Sequence, residues 1–346
     1  MQMRFAGVGA RGSPPEGLLL NGLKLEMCKE RYMNTWFDDP VLGKLPPGEA
    51  AVKLREVGEN EAADMLEEAQ HETARTFEVK GLDRKGWWPF RDKPWQHTAH
   101  TFGYLAPLAS APGSDPLPIH HIENISADPN LRGARIQITL NRLRVAAYPG
   151  GGIHRVLLHF FAQNQMPGRS EHLHFNATYR VQQGEHAGIS GYPIFTGLNV
   201  SHEGVTLKCR TINVSNDEDE AFLSFLESDV FKAGLQLVTT AQPVIAPFSE
   251  MALGIAKTIA ARHRNVSVQD FDLGLNFGSI PLSGRLAEGA YLAVQIPESF
   301  QSIWDWDEWV YLPARGAVVS RDDHQSLIPY NYLVFGISRY EGRGHV

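Results

Sequence analysis

At 346 residues, with 43% hydrophobic and 21% charged positions, the chain holds enough apolar material for at least one large core, which excludes a disordered acidic polymer or a low-complexity fibre. A formal net charge of −7 with no long Lys/Arg run excludes the broad phosphate-binding face of a dedicated nucleic-acid protein. No stretch of about 18 consecutive apolar residues is present, so no transmembrane helix is encoded.

The first residues carry arginines but no apolar run of the kind a secretory leader needs, and the expected compartment is the cytoplasm. Cys28 and Cys209 lie far apart without a CxxC partner, so neither a disulfide framework nor a thiolate zinc site is expected. Gly7, Gly9 and Gly12 match the letters of a dinucleotide-binding loop, but Ser13, Pro14 and Pro15 follow where a strand-to-helix turn is required.

Between about 48 and 77, Ala62, Leu66, Ala69, Thr73 and Phe77 recur at helical spacing, and Gly58 divides the stretch into two predicted helices. The aromatic segment GLDRKGWWPFRDKPWQHTAHTFGYL at 81–105, broken by Pro89 and Pro94, reads as a packed loop. The run APLASAPGSDPLP at 106–118 holds four prolines and denies both helix and strand hydrogen bonding. It is therefore the expected linker between an N-terminal, partly helical domain at 1–105 and a second domain at 119–340.

Beyond the linker the period changes to that of strands. RIQITLNRLRVAAY and IHRVLLHFFAQ flank PGGG and predict a hairpin. Further β-rich runs follow at 173–181, 192–200, 205–214, 269–277, 291–296, 309–312 and 331–338. Two helices interrupt them. One opens at NDEDE, with Asn216 as N-cap and acids in the first turn; the other runs over 249–264 with the stripe Met251, Ile255, Ile259. The expected fold is mainly β with α: an antiparallel β-sandwich of jelly-roll or C2-like shape carrying two inserted helices.

Three features carry candidate chemistry. His172 and His174 project from one strand face about 7 Å apart and, joined by His159, would hold a divalent metal as cofactor. The competing reading places His172, His174, Asn176 and Thr178 on a solvated face opposite Leu173, Phe175, Ala177 and Tyr179. WDWDEW interleaves Trp304, Trp306 and Trp309 with Asp305, Asp307 and Glu308. With Trp88 and Trp95 from the earlier aromatic loop, Trp304, Trp306, Asp307 and Trp309 form a candidate binding surface for a protein partner or for self-association. The structural alternative has the indoles closing a core. No G-x-S-x-G, S-x-x-K or reactive-cysteine context is present. The leading expectation is thus a non-catalytic recognition or assembly protein. The alternatives are a metal-dependent enzyme built on the histidines and a carbohydrate-binding or carbohydrate-active protein that stacks sugars on the tryptophans.

Overall fold

The computed structural model describes residues 36–77, 93–107, 115–166, 168–228, 246–278 and 283–341. These residues form a mainly β assembly of three sheets with a few helices. No described helix is long and apolar enough to cross a membrane.

The largest sheet has six strands in the spatial order His120–His121 (β3), Ala99–Leu105 (β1), Gly289–Ile296 (β11), Tyr332–Arg339 (β14), Arg135–Arg144 (β4) and Tyr192–Asn199 (β7). A five-stranded sheet runs Gly284–Arg285 (β10), Asn265–Asn276 (β9), Gly204–Val214 (β8), Ile153–Met166 (β5) and Arg169–Gln182 (β6). Ala317–Ser320 (β13), Trp309–Leu312 (β12) and Leu117–Pro118 (β2) make a small third sheet. All pairings are antiparallel except β9 with β10.

The two large sheets meet face to face through aromatic rings. Phe335 of β14 meets Phe160 of β5 edge-on at 5.8 Å and Phe271 of β9 at 6.1 Å; Phe195 of β7 meets Phe175 of β6 at 6.4 Å. The six-stranded sheet is buried on its other face too. Tyr291 and Ala293 of β11 point into the main core, whereas Leu292 and Val294 enter a second cluster closed by the small sheet through Val318. This double burial explains why YLAV and YLVF are continuous apolar runs rather than alternating ones.

Helices cover the outer face of the five-stranded sheet. Pro47–Glu56 (α1) and Asn60–Phe77 (α2) form a pair that breaks at Gly58, whose φ of +85° suits glycine. Glu220–Glu227 (α3) and Ala246–Ala261 (α4) pack against β6. Asn216 accepts from the Glu218 N–H at 2.9 Å, as its capping role predicts, although the turn it opens is a short 3-10 helix before α3. Asp219 is fully buried and binds Arg262 and Asn265, so this acid ties the end of α4 to the start of α3.

Two local readings need correction, the hairpin around PGGG and the packed loop at 81–105. RIQITLNRLRVAAY and IHRVLLHFFAQ do not form a hairpin: β4 pairs with β14 and β7, while β5 pairs with β6 and β8. Gly150, Gly151 and Gly152 all have positive φ and carry the chain from one large sheet to the other. The run at 106–118 also has a sheet strand on each side of it. Strand β1, read as part of a packed loop, pairs along its whole length with β11; the end of the 106–118 run, expected to deny strand pairing, forms β2 against β12, and β3 follows it. Phe37, Leu54 and Leu66 from before the run share one core with Phe160 and Phe335 from beyond it.

Candidate functional site

Strand register builds a polar row across the outer face of the five-stranded sheet. Asn176 on β6 lies opposite His159 on β5, His159 opposite Arg210 on β8, and Arg210 opposite Asp270 on β9. Asn176, His159 and Arg210 are buried, because the segment at 36–39 and helix α4 cover them. Phe37 packs edge-on against His159 at 5.2 Å, and the Arg210 guanidinium lies 4.3 Å over the Phe37 ring. The Trp36 indole N–H donates to Asp270 Oδ1 at 3.1 Å, and Arg210 donates to the Asp39 carbonyl.

The hydrogen bonds fix the histidine tautomers. Asn176 Nδ2 donates to the Ala252 carbonyl at 2.7 Å, so its Oδ1 is the acceptor facing His159 Nδ1 at 2.6 Å. His159 therefore carries its proton on Nδ1, and its Nε2 accepts from His174 Nδ1 at 3.1 Å. Burial, aided by the neighbouring ring, pushes His159 down to about 3, and burial pushes His174 down to about 4. Both rings are neutral at physiological pH.

The structure brings together two of the expected histidine trio, His159 and His174, through a hydrogen bond. Both nitrogens of His159 are committed, leaving it no lone pair for a metal, and His172 is exposed on the rim with its carbonyl accepting from Ser249. Among the described residues no group of three or more His, Cys, Asp or Glu is placed to hold a metal ion. The solvated-face alternative fails as well for His174 and Asn176, which α4 covers. Asp270 and Arg210 belong to the same polar row, and nothing local in the mixed run TLKCRTINV marked Arg210 for it. Burial lowers the Arg210 pKa and raises that of Asp270, although their mutual attraction opposes both shifts.

The tryptophans divide between core and surface. Trp95 is 1% exposed and Trp306 is 4% exposed; neither can contact a partner. Trp306 donates to the Phe102 carbonyl at 3.1 Å and packs so close to β1 that a Cβ on Gly103 would lie 2.9 Å from its ring. Trp304 and Trp309 are half-buried and stack nearly parallel, with centroids 6.1 Å apart and Tyr330 edge-on to Trp304 at 5.8 Å. Asp305 and Asp307 are exposed; Asp305 Oδ1 accepts from the Asp307 N–H at 2.8 Å and shapes the turn. Trp88 lies outside the described residues.

No protein-family model, curated protein or solved structure matches this chain. The reading of its function therefore rests on the two sites above. The polar row under 36–39 is closed to solvent at His159 and Arg210, whereas the Trp304–Trp309 stack presents aromatic and acidic groups to it.

Proposed function

We propose that this chain is a recognition protein whose binding surface is the WDWDEW turn, held on a frame that we read as a β-sandwich of jelly-roll or C2-like shape. One observation carries the reading. The parallel Trp304–Trp309 pair is only half-buried and sits in a segment that also exposes Phe300 at 41% and Ile303 at 71%. Aromatic groups held rigidly at a surface lose little entropy on binding and supply the anchors on which interfaces depend. The exposed carboxylates Asp305 and Glu308 adjoin the pair in sequence and favour a partner bearing Lys or Arg, while Asp307 is already ion-paired with Arg321 at 3.5 Å. Buried Trp306 fixes the turn to the frame. The compartment we assign to this activity, from the sequence alone, is the cytoplasm.

A displayed random-peptide library selected on the folded protein tests the proposal. Cation-bearing ligands are expected to be enriched and to bind the Trp309→Ala and Trp304→Ala variants at least about tenfold more weakly. Ligands that bind both variants as tightly as the parent would overturn it. Sedimentation velocity of the same proteins shows whether the occupant is a second copy of the chain. Saccharide titration of tryptophan fluorescence separates the carbohydrate alternative.

A further inference from the structure

A surface cavity of about 420 Å³, away from the tryptophan turn, is lined by Arg132 and Arg285 together with Ser126 and Phe277. Its parts come from two places in the chain. Arg132 follows the 3-10 turn Pro129–Leu131, while Phe277 and Arg285 lie at the ends of β9 and β10, the one parallel pair in the sheets.

Both guanidiniums are held in place. Arg132 lies over the Phe277 ring, with its Cζ 4.8 Å from the centroid. Arg285 Nη1 donates to Asn276 Oδ1 at 3.3 Å, and the same oxygen accepts from the Gly278 N–H at 2.6 Å. Gly278 has a φ of +96°, and a Cβ there would come within 3.3 Å of Arg285 Nη1, so glycine keeps that side of the fork open. Among the described residues, neither arginine is paired with a carboxylate. The acids nearest in sequence are engaged elsewhere: Asp128 caps the 3-10 turn, where it accepts from the Asn130 N–H at 2.9 Å, and Glu288 Oε2 accepts from the Arg339 N–H at 3.1 Å. In a chain of net charge −7, two unpaired guanidiniums facing one cavity mark a local reversal of potential.

We infer that this cavity binds the phosphate group of a small phosphomonoester. Two forked cations match the charge and the tetrahedral oxygens of a phosphate dianion, whereas one fork is enough for a carboxylate. The Ser126 hydroxyl adds a donor. The volume exceeds that of a bare phosphate and falls within the range of small-molecule sites, leaving the apolar wall of Ile125 and Pro129 for the organic part of the ligand. A free metabolite and a lipid headgroup would present the same group. The site is independent of the WDWDEW turn and stands whether or not that turn binds a partner.

The test is calorimetric titration of the full chain, at low ionic strength, with inorganic phosphate and with glycerol 3-phosphate. Co-sedimentation with phosphatidylcholine vesicles, with and without phosphatidic acid, runs alongside. Saturable binding is expected. Arg132→Ala should weaken it about tenfold, and Arg285→Lys, which keeps the charge but not the fork, by a smaller factor. Lys208→Ala removes a cation already paired with Asp272 and should change nothing. Arg132 is exposed, so its loss leaves the fold intact, as circular dichroism will show. Binding only to the acidic vesicles, lost in Arg132→Ala, identifies the headgroup as the source. No binding to any probe, or equal binding by the Arg132→Ala/Arg285→Ala double variant, overturns the inference.

Discussion

His159 accepts a hydrogen bond from His174, Nε2 to Nδ1 at 3.1 Å, with the two rings stacked 5.2 Å apart beneath α4. Two neutral imidazoles thus satisfy one another in a site where a charged ring would be costly. Removing one leaves a buried acceptor unpartnered. His174→Ala should destabilise the protein by about 1–3 kcal/mol, while His172→Ala, at an exposed position, should stay within about 0.5 kcal/mol, both read from urea denaturation. A zinc-dependent rise in Tm that His174→Ala abolishes would instead restore a metal role.

The same burial sets an acid limit. His100 and His159 are both lowered from 6.5 to about 3. Below about pH 6.5 the unfolded chain takes up a proton on each ring that the folded chain refuses until about pH 3. Stability is therefore complete above 6.5 and falls by about 1.4 kcal/mol per pH unit per ring down to that limit. His174, Arg210 and Lys257 add repulsion against a charged His159, whereas Asp270, raised by burial, works in the opposite sense within the acid range. Urea midpoints at pH 7.5 and 5.0 should differ strongly, and His159→Asn should reduce the difference by one ring's share, His100 keeping its own. Equal midpoints for the parent protein would contradict this account.

Arg210 is fully buried, yet its Nη1 lies 3.8 Å from Asp270 Oδ2 and, with Nε, has no hydrogen-bond partner. Asp270→Ala leaves that cation uncompensated and should cost about 3 kcal/mol, the low end for breaking a buried pair, because the Asp270 side chain is 22% exposed. Arg210→Met removes the charge and keeps the packing on Phe37, so it should cost less. The order of the two denaturation midpoints is the check.

The tryptophans separate by depth. Trp306→Ala empties a site between β1 and the small sheet and should cost about 3–5 kcal/mol, whereas Trp309→Ala should cost less than about 1.5 kcal/mol. Gly103→Ala pushes a methyl group against Ile119 and Trp306 and should cost about 1–3 kcal/mol. If Trp309→Ala proved as disruptive as Trp306→Ala, the stack would be core rather than binding surface.

Much of the β architecture was legible because strand runs with branched and aromatic residues announce themselves locally: β6 to β9, β11, β12 and β14 all fall where the pattern put them. Helices α1 and α2 were marked by Gly58 and by the spacing from Ala62 to Phe77. What sequence hides is partnership. PGGG between two β runs has the local chemistry of a tight turn, and nothing nearby says that Arg144 and Ile153 belong to different sheets. Strand β1, with His100 and Gly103 inside it, lacks the alternation that marks a strand because both its faces are covered. The polar row was visible only in part: the histidines stood out, but joining Arg210 and Asp270 to them requires the register of four strands. WDWDEW offered two readings; the structure buries Trp306 and leaves Trp304 and Trp309 half-buried against the second core, a division that the letters alone do not show.

The pairing of β1 with β11 also governs how the chain reaches this state. Gln295 donates to the His97 carbonyl across 198 positions of sequence, and Trp306 binds Phe102 across 204. During synthesis β1 emerges long before the strand that will cover its edge, so its backbone donors wait on the last part of the chain. A ribosome stalled before residue 289 would carry a nascent chain with an unpaired, apolar sheet edge, a ready template for association with its neighbours. Refolding should accordingly be slow and sensitive to protein concentration, and truncation near the C-terminus should cause aggregation rather than a smaller folded core.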